Sequence, residues 1–210
     1  MTNSQTYPLR TEMSTPPEQG KWYDVILAGG GFIALLKFAQ WLLARLFDRR
    51  RKTRVIEGIE ELSRFYSTME QCLSASCGRV LLLAAHNSGG VPTATAPFYT
   101  SAIHWATATP DQRRMISGYH NIKVDDAYIK MLLKIHTDGV YHFKMDENEG
   151  SMLRAFYEAE GVTDSVLVFL TIQKNQFLYM SFASFGQKFT PLEITRFRLT
   201  ANTIKNLVEK

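Results

Sequence analysis

Residues 165–193 read SVLVFLTIQKNQFLYMSFASFGQKFTPLE, and the fold class follows from that stretch. Ser165–Gln173 and Gln176–Ser184 are runs of strand length rich in aliphatic and aromatic residues. The turn around Lys174-Asn175 joins them as an antiparallel hairpin. Thr190-Pro191-Leu192-Glu193 then forms a capping box with proline at the first helical position. Ile194, Phe197, Ala201, Ile204 and Val208 recur at helical spacing and mark the buried stripe of a final helix.

Upstream, Val55, Ile59, Leu62, Tyr66, Met69 and Leu73 predict an amphipathic helix over 55–76 with this row buried and Gly78 ending it. Arg79–His86 is a short apolar strand, followed by the turn-forming loop Asn87-Ser88-Gly89-Gly90-Val91-Pro92. Phe98–Trp105 reads as a second strand and Thr107–Arg114 as loop and turn. Val124–His136 reads as a helix with Ala127, Met131 and Ile135 on one side, and Gly139–Lys144 as a strand. Ser151 caps a short helix that Gly161 closes. The sum is an α+β fold, an antiparallel sheet with flanking helices gathered on one face and preceded by one long hydrophobic helix.

The chain has 210 residues, 45% hydrophobic and 21% charged, enough for one globular domain with an appendage. Its net charge of +4 is unevenly spread: residues 25–47 carry +2, residues 48–54 carry +4, and residues 55–210 carry −1. A nucleic-acid-binding body needs a basic face, so no nucleic-acid partner is expected. Cys72 and Cys77, five apart on the predicted helix, are turned roughly 140° from each other, which disfavours a disulfide.

Residues 1–21 are polar and contain Pro8, Pro16 and Pro17, which predicts a disordered arm. Val25–Phe47 is then interrupted only by Lys37, Gln40 and Arg45. Its Val, Ile, Leu and Phe residues favour insertion by about 5 kcal/mol, against about 3 kcal/mol for a central Lys37. A spanning helix at 22–47 is predicted, with a surface-lying amphipathic helix as the alternative. Trp22 and Tyr23 suit the interface, Trp41 packing or lipid, and Lys37, Gln40 and Ala44 a face toward a partner helix. The basic segment 48–54, with Arg49, Arg50, Arg51 and Lys52, predicts a single-pass protein of an inner or plasma membrane. The body at 55–210 would face the cytoplasm. Membrane lipid and a second copy of the chain are the expected partners.

Three resemblances qualify this. Tyr23–Ala34 resembles a dinucleotide-binding turn, with Gly29, Gly31 and Ala34 at the fingerprint positions and Thr53–Glu57 as a second strand. It implies a small oxidoreductase, but no further β-α alternation follows. Residues 55–210 resemble the GAF/PAS-like sensor fold in element order and in the junction Phe189-Thr190-Pro191-Leu192-Glu193. That resemblance implies a non-enzymatic sensory or regulatory domain coupling a small-molecule ligand or protein partner to helix packing at the membrane. The polar arm, single span and helix-ended body are also similar to the large-domain holins of T-even phages, which implies a lysis or membrane-permeabilising protein.

The candidate sites are less specific. His86 and Ser88 lack the acid and oxyanion pattern of a catalytic triad, so no catalytic residue is expected. The loop at His86, Asn87 and Ser88 is instead a candidate ligand-binding region, with Tyr99, His120 and Tyr141 added by position. The five histidines have no short paired spacing, so neither a metal nor a cofactor is expected. Asp125-Asp126 and Asp146-Glu147 with Glu149 read as solvated carboxylates or helix starts.

Overall fold

The computed structural model describes the backbone of residues 20–145 and 150–209, and the side chains of these except 20–36, 48–50 and 114. In chain order the elements are α1 (Gly20–Glu70), β1 (Arg79–His86), β2 (Tyr99–Thr107), α2 (Pro110–Met115) and a 3-10 turn (Ile116–Gly118). There follow β3 (Ile122–Lys123), α3 (Asp126–Asp138), β4 (Val140–Phe143), α4 (Met152–Glu160), β5 (Asp164–Gln173), β6 (Gln176–Ser184) and α5 (Pro191–Val208). The chain divides into two compact units, Met1–Ile56 and Glu57–Lys210.

The second unit is built on a six-stranded antiparallel sheet of order β3-β2-β1-β6-β5-β4. The expected hairpin is present, closing Gln173 against Gln176. Its turn residues Lys174 and Asn175 have φ of 49° and 62°, the left-handed pair that a two-residue hairpin turn needs. β1 is central, and seven of its eight residues are buried. A strand covered on both sides reads as a continuous apolar run rather than an alternation, which is the pattern of Val80–Ala85.

That burial corrects the expectation of helices on one face. Val80, Leu82 and Ala84 share a core with Met180 and Phe182, with Phe65 and Met69 of α1, and with Phe197, Ala201 and Ile204 of α5. Leu81, Leu83 and Ala85 point the other way, into a second core with Tyr179, with Tyr128, Met131, Leu132 and Ile135 of α3, and with Leu153 and Tyr157 of α4. Ala127, expected on the buried side of α3, is exposed.

α1 differs from expectation in three respects. It ends at Glu70, and its buried row is Phe65 and Met69, leading to Cys72 beyond the helix; Val55, Ile59, Leu62 and Tyr66 stay exposed. Phe65 and Met69 are the α1 side chains that enter the core shared with β1, β6 and α5. Cys72 and Cys77 are both free and lie in the same core, not on opposite sides of a helix. Burial pushes the Cys77 thiol up to about 12. The third difference is at the other end: the backbone of residues 20–70 is one continuous helix. No strand and glycine turn exist at 23–31 and no strand at 53–57, so the dinucleotide-binding reading is withdrawn.

Within the first unit, Lys37, Phe38, Gln40, Trp41, Leu42, Leu46, Phe47, Arg51 and Lys52 are exposed. Phe38 and Trp41 have ring centroids 5.8 Å apart, and the Arg45 guanidinium lies 5.2 Å from the Trp41 ring. Among the described residues, no helix is long and apolar enough to cross a membrane. Lys37, Gln40 and Arg45 interrupt the apolar residues, and charged residues follow at once. This overturns the single-pass membrane localisation. The arm at 1–19, the side chains of Trp22, Tyr23, Arg49 and Arg50, and the carboxylates at 146–149 lie outside the described residues.

Candidate functional site

The main concavity is a cavity of about 870 Å³ on the α3 side of the sheet. Its floor is the end of the β1–β6 pair, where Ala85 stands opposite Phe177, together with Ile172 of β5. Ile129, Leu132 and Leu133 of α3 form one wall, and residues 91–98, VPTATAPF, form the other. Thr93, Thr95, Lys123 and Asn175 are the polar side chains of the lining.

Local chemistry holds each wall in place. Asp125 caps α3: one carboxylate oxygen accepts from Tyr128 N at 2.7 Å and the other from Met152 N at 2.8 Å, tying the starts of α3 and α4 together. Gly139 ends α3 with φ of 74°, a left-handed value that glycine adopts without Cβ strain. The 91–98 segment is pinned at its far end, where Val124 N donates to Phe98 O at 2.9 Å. At the mouth, Asn175 Nδ2 donates to Gly89 O at 3.2 Å, joining the hairpin turn to the loop after β1.

One step further along the same sheet face, the Tyr179 hydroxyl is hydrogen-bonded to Tyr128 Oη and, at 2.8 Å, to Thr100 Oγ1. Burial pushes both phenols well up, so this cluster stays neutral and its hydroxyls satisfy one another.

The sequence-predicted residues gather elsewhere. His86 Nδ1 accepts from the Ser88 backbone N–H at 3.3 Å, and His86 Nε2 lies 3.3 Å from Ser101 Oγ. Because a backbone N–H can only donate, Nδ1 carries no proton and Nε2 carries one. Ser101 Oγ also accepts from Asn121 N at 2.8 Å and donates to Asn121 Oδ1 at 3.3 Å. His86, Ser101 and Asn121 thus form a mutually bonded structural knot, in which Ser88 takes part through its backbone N–H. His120 joins through Asn121, with Nε2 3.2 Å from Asn121 Nδ2, and the Tyr99 and His86 rings lie 6.3 Å apart. Asn87 Nδ2 donates to Val91 O at 2.7 Å, holding the loop as it turns into the cavity wall. Tyr141 is on β4, at the opposite edge of the sheet. None of these six residues lines the cavity.

Two further polar groups are structural. His142 Nε2 lies 2.7 Å from Asp164 Oδ1, and Asp164 Oδ2 accepts from Phe189 N at 2.7 Å, which fixes the approach to α5. Arg79, wholly buried, meets Glu160 and Tyr119. Among the described residues, no group of three His, Cys, Asp or Glu side chains is placed to hold a metal ion.

No protein-family model matches the chain, and no curated protein does. Solved structures do show likenesses. The chain is similar to the blue-light absorbing form of the PixJ GAF domain of Thermosynechococcus elongatus, at 14% identity and a TM-score of 0.46, over 71% of this chain and 87% of that one. It is similar to a GAF domain of Synechocystis sp. in its photoproduct state, at 15% identity and a TM-score of 0.49, over 70% and 92%. It is also similar to a GAF domain/HD domain protein of Geobacter sulfurreducens, at 8% identity and a TM-score of 0.49, over 71% and 90%. The antiparallel sheet with flanking helices rests on its own strand pairing, and these likenesses assign no family, ligand, activity or partner to this chain.

Proposed function

We propose that this chain is a non-enzymatic sensory or regulatory domain whose input is a small apolar molecule held between α3, the end of the β1–β6 pair and the 91–98 segment. The observation that carries the reading is the cavity of about 870 Å³, lined mostly by aliphatic and aromatic side chains with a few polar groups at fixed places. Ligand sites are typically concavities of this size and chemistry. The sheet also supplies a route for a response. β1 carries Ala85 to the cavity floor and Val80, Leu82 and Ala84 to the core shared with α1 and α5. A ligand that repacks the floor bears on the strand those helices rest against. Self-association through α1 belongs to the same reading.

The test uses the full chain and a neutral apolar probe, 1-dodecanol. A ligand at about 100 times its dissociation constant stabilises a two-state fold by about 2.7 kcal/mol, readable as a rise in melting temperature. The amide shifts should concentrate in α3 and residues 91–98, and Leu133→Trp, at a cavity-lining position that is 64% exposed, should remove both effects. Shifts centred elsewhere, or an unchanged response in Leu133→Trp, would overturn the proposal.

A further inference from the structure

The polar groups of the cavity narrow the ligand class. Among its lining residues Lys123 is the one that carries a charge, and no acid accompanies it. Lys123 ends the two-residue edge strand β3, opposite Tyr99, and its side chain is exposed at the rim. The acids nearest in sequence are already engaged. Asp125 is bound to two backbone N–H groups, and Asp126 pairs with Lys130 at 2.6 Å. Among the described residues Lys123 has no ion pair. The other polar groups of the lining are neutral and mostly occupied: Asn175 Nδ2 by Gly89 O, and the Thr93 and Thr95 hydroxyls 3.4 Å from each other.

An apolar interior with a single unpaired cation at its rim complements a molecule of the opposite arrangement. We infer that the ligand is an amphiphilic carboxylate, with its alkyl chain among Leu132, Leu133, Ile172 and Phe177 and its carboxylate at Lys123; this rests on the reading of the cavity as a ligand site. A cationic head would face Lys123 with like charge, and a neutral head would meet the ammonium without the opposite charge that a carboxylate brings. The long lysine side chain can lie along the apolar wall while its ammonium stays at the water boundary, where the carboxylate also keeps part of its hydration.

The experiment is calorimetric titration of the full chain with dodecanoate, 1-dodecanol and dodecyltrimethylammonium, each below its aggregation or solubility limit. Dodecanoate should bind about fivefold more tightly than the alcohol, the factor that corresponds to about 1 kcal/mol for an exposed ion pair, and the ammonium more weakly than either. From octanoate to dodecanoate, affinity should rise about three- to fourfold per methylene, the factor for about 0.8 kcal/mol per buried CH₂. Lys123→Met should remove the preference for acid over alcohol while leaving the alcohol's affinity intact, and Lys123→Arg should restore it. Equal affinities for acid and alcohol, or a preference that survives Lys123→Met, would overturn the ligand class and leave the cavity reading standing. Failure of all three amphiphiles to bind, or binding unchanged by Leu133→Trp, would overturn both.

Discussion

Arg79 opens the central strand with its guanidinium wholly out of water, an unusual position for the most persistently charged side chain. Its Nη1 lies 2.8 Å from Glu160 Oε2, an ion-pair contact rather than an aligned hydrogen bond, and its Nη2 donates to Tyr119 Oη at 3.1 Å. Tyr119 Oη in turn donates to Glu160 Oε2 at 2.7 Å. Burial alone would lower the guanidinium's pKa, but Tyr119 and Glu160 outweigh it, and the group stays charged. The trio ties β1 to the segment before β3 and to the end of α4. Losing one partner of a buried ion pair costs about 3–5 kcal/mol, because the other charge is left without compensation. Glu160→Gln should therefore lower the urea-unfolding free energy by about 3 kcal/mol, while the double variant Arg79→Met with Glu160→Leu should cost less than the single one. A Glu160→Gln protein within 0.5 kcal/mol of the parent, a bound roughly that of a surface substitution, would show the pair to be unimportant. No local pattern marks this pair. Arg79 and Glu160 are far apart in the chain, and each reads locally as an ordinary element end.

At the scale of elements, the start of α5 shows how a short motif becomes a long-range tie. Thr190 N donates to Glu193 Oε2 at 2.7 Å, and Glu193 N donates to Thr190 Oγ1 at 3.3 Å, the reciprocal pair expected from the sequence. Ser76, in the turn after α1, also donates to Glu193. The Ser76 hydrogen bond first, and those from Thr190 next, hold the Glu193 carboxyl below the usual carboxylate range. A carboxyl with a depressed folded pKa contributes stability that is present above its unfolded value and is lost as pH falls through the folded one. Glu193→Gln should thus destabilise by about 0.5–1 kcal/mol at pH 7, the ordinary size of such a helix-start interaction, and the gap should close as the solution is acidified below about pH 4. A gap constant from pH 7 to pH 3 in thermal melts would exclude this cause. The same signature, Thr109-Pro110-Asp111-Gln112, starts α2, within a stretch whose composition predicts only loop and turn. The helix after it is six residues long and shows too little periodicity to be recognised. The hairpin, the α5 capping box and the α4 boundaries were legible because each is fixed by side chains within a few residues of its own backbone.

For the molecule as a whole, the exposed apolar pair on α1 is Ile59 and Leu62, exposed at 62% and 45%, while Tyr66 beside them places its Oη 3.0 Å from His104 Nδ1 of β2. Contiguous exposed apolar surface is a recurrent mark of interaction sites. With self-association through this pair, the full chain should sediment with a concentration-dependent mass above that of one copy, and Ile59→Glu with Leu62→Glu should return it to a single copy. A parent chain that sediments as one copy at all concentrations would sink the self-association. What the amino-acid order determined alone was local: the longer strands and helices, the caps of α4 and α5, the hairpin turn, and that the sheet is antiparallel. Those features depend on periods of 2 and 3.6 residues and on hydrogen bonds between near neighbours. Tertiary structure decided that helices cover both faces, that the α1 row beginning at Phe65 is the buried one, and that residues 85, 91–98, 123–133 and 172–177 enclose a cavity. Burial and enclosure depend on which distant segments arrive at a surface, and no short-range pattern carries that.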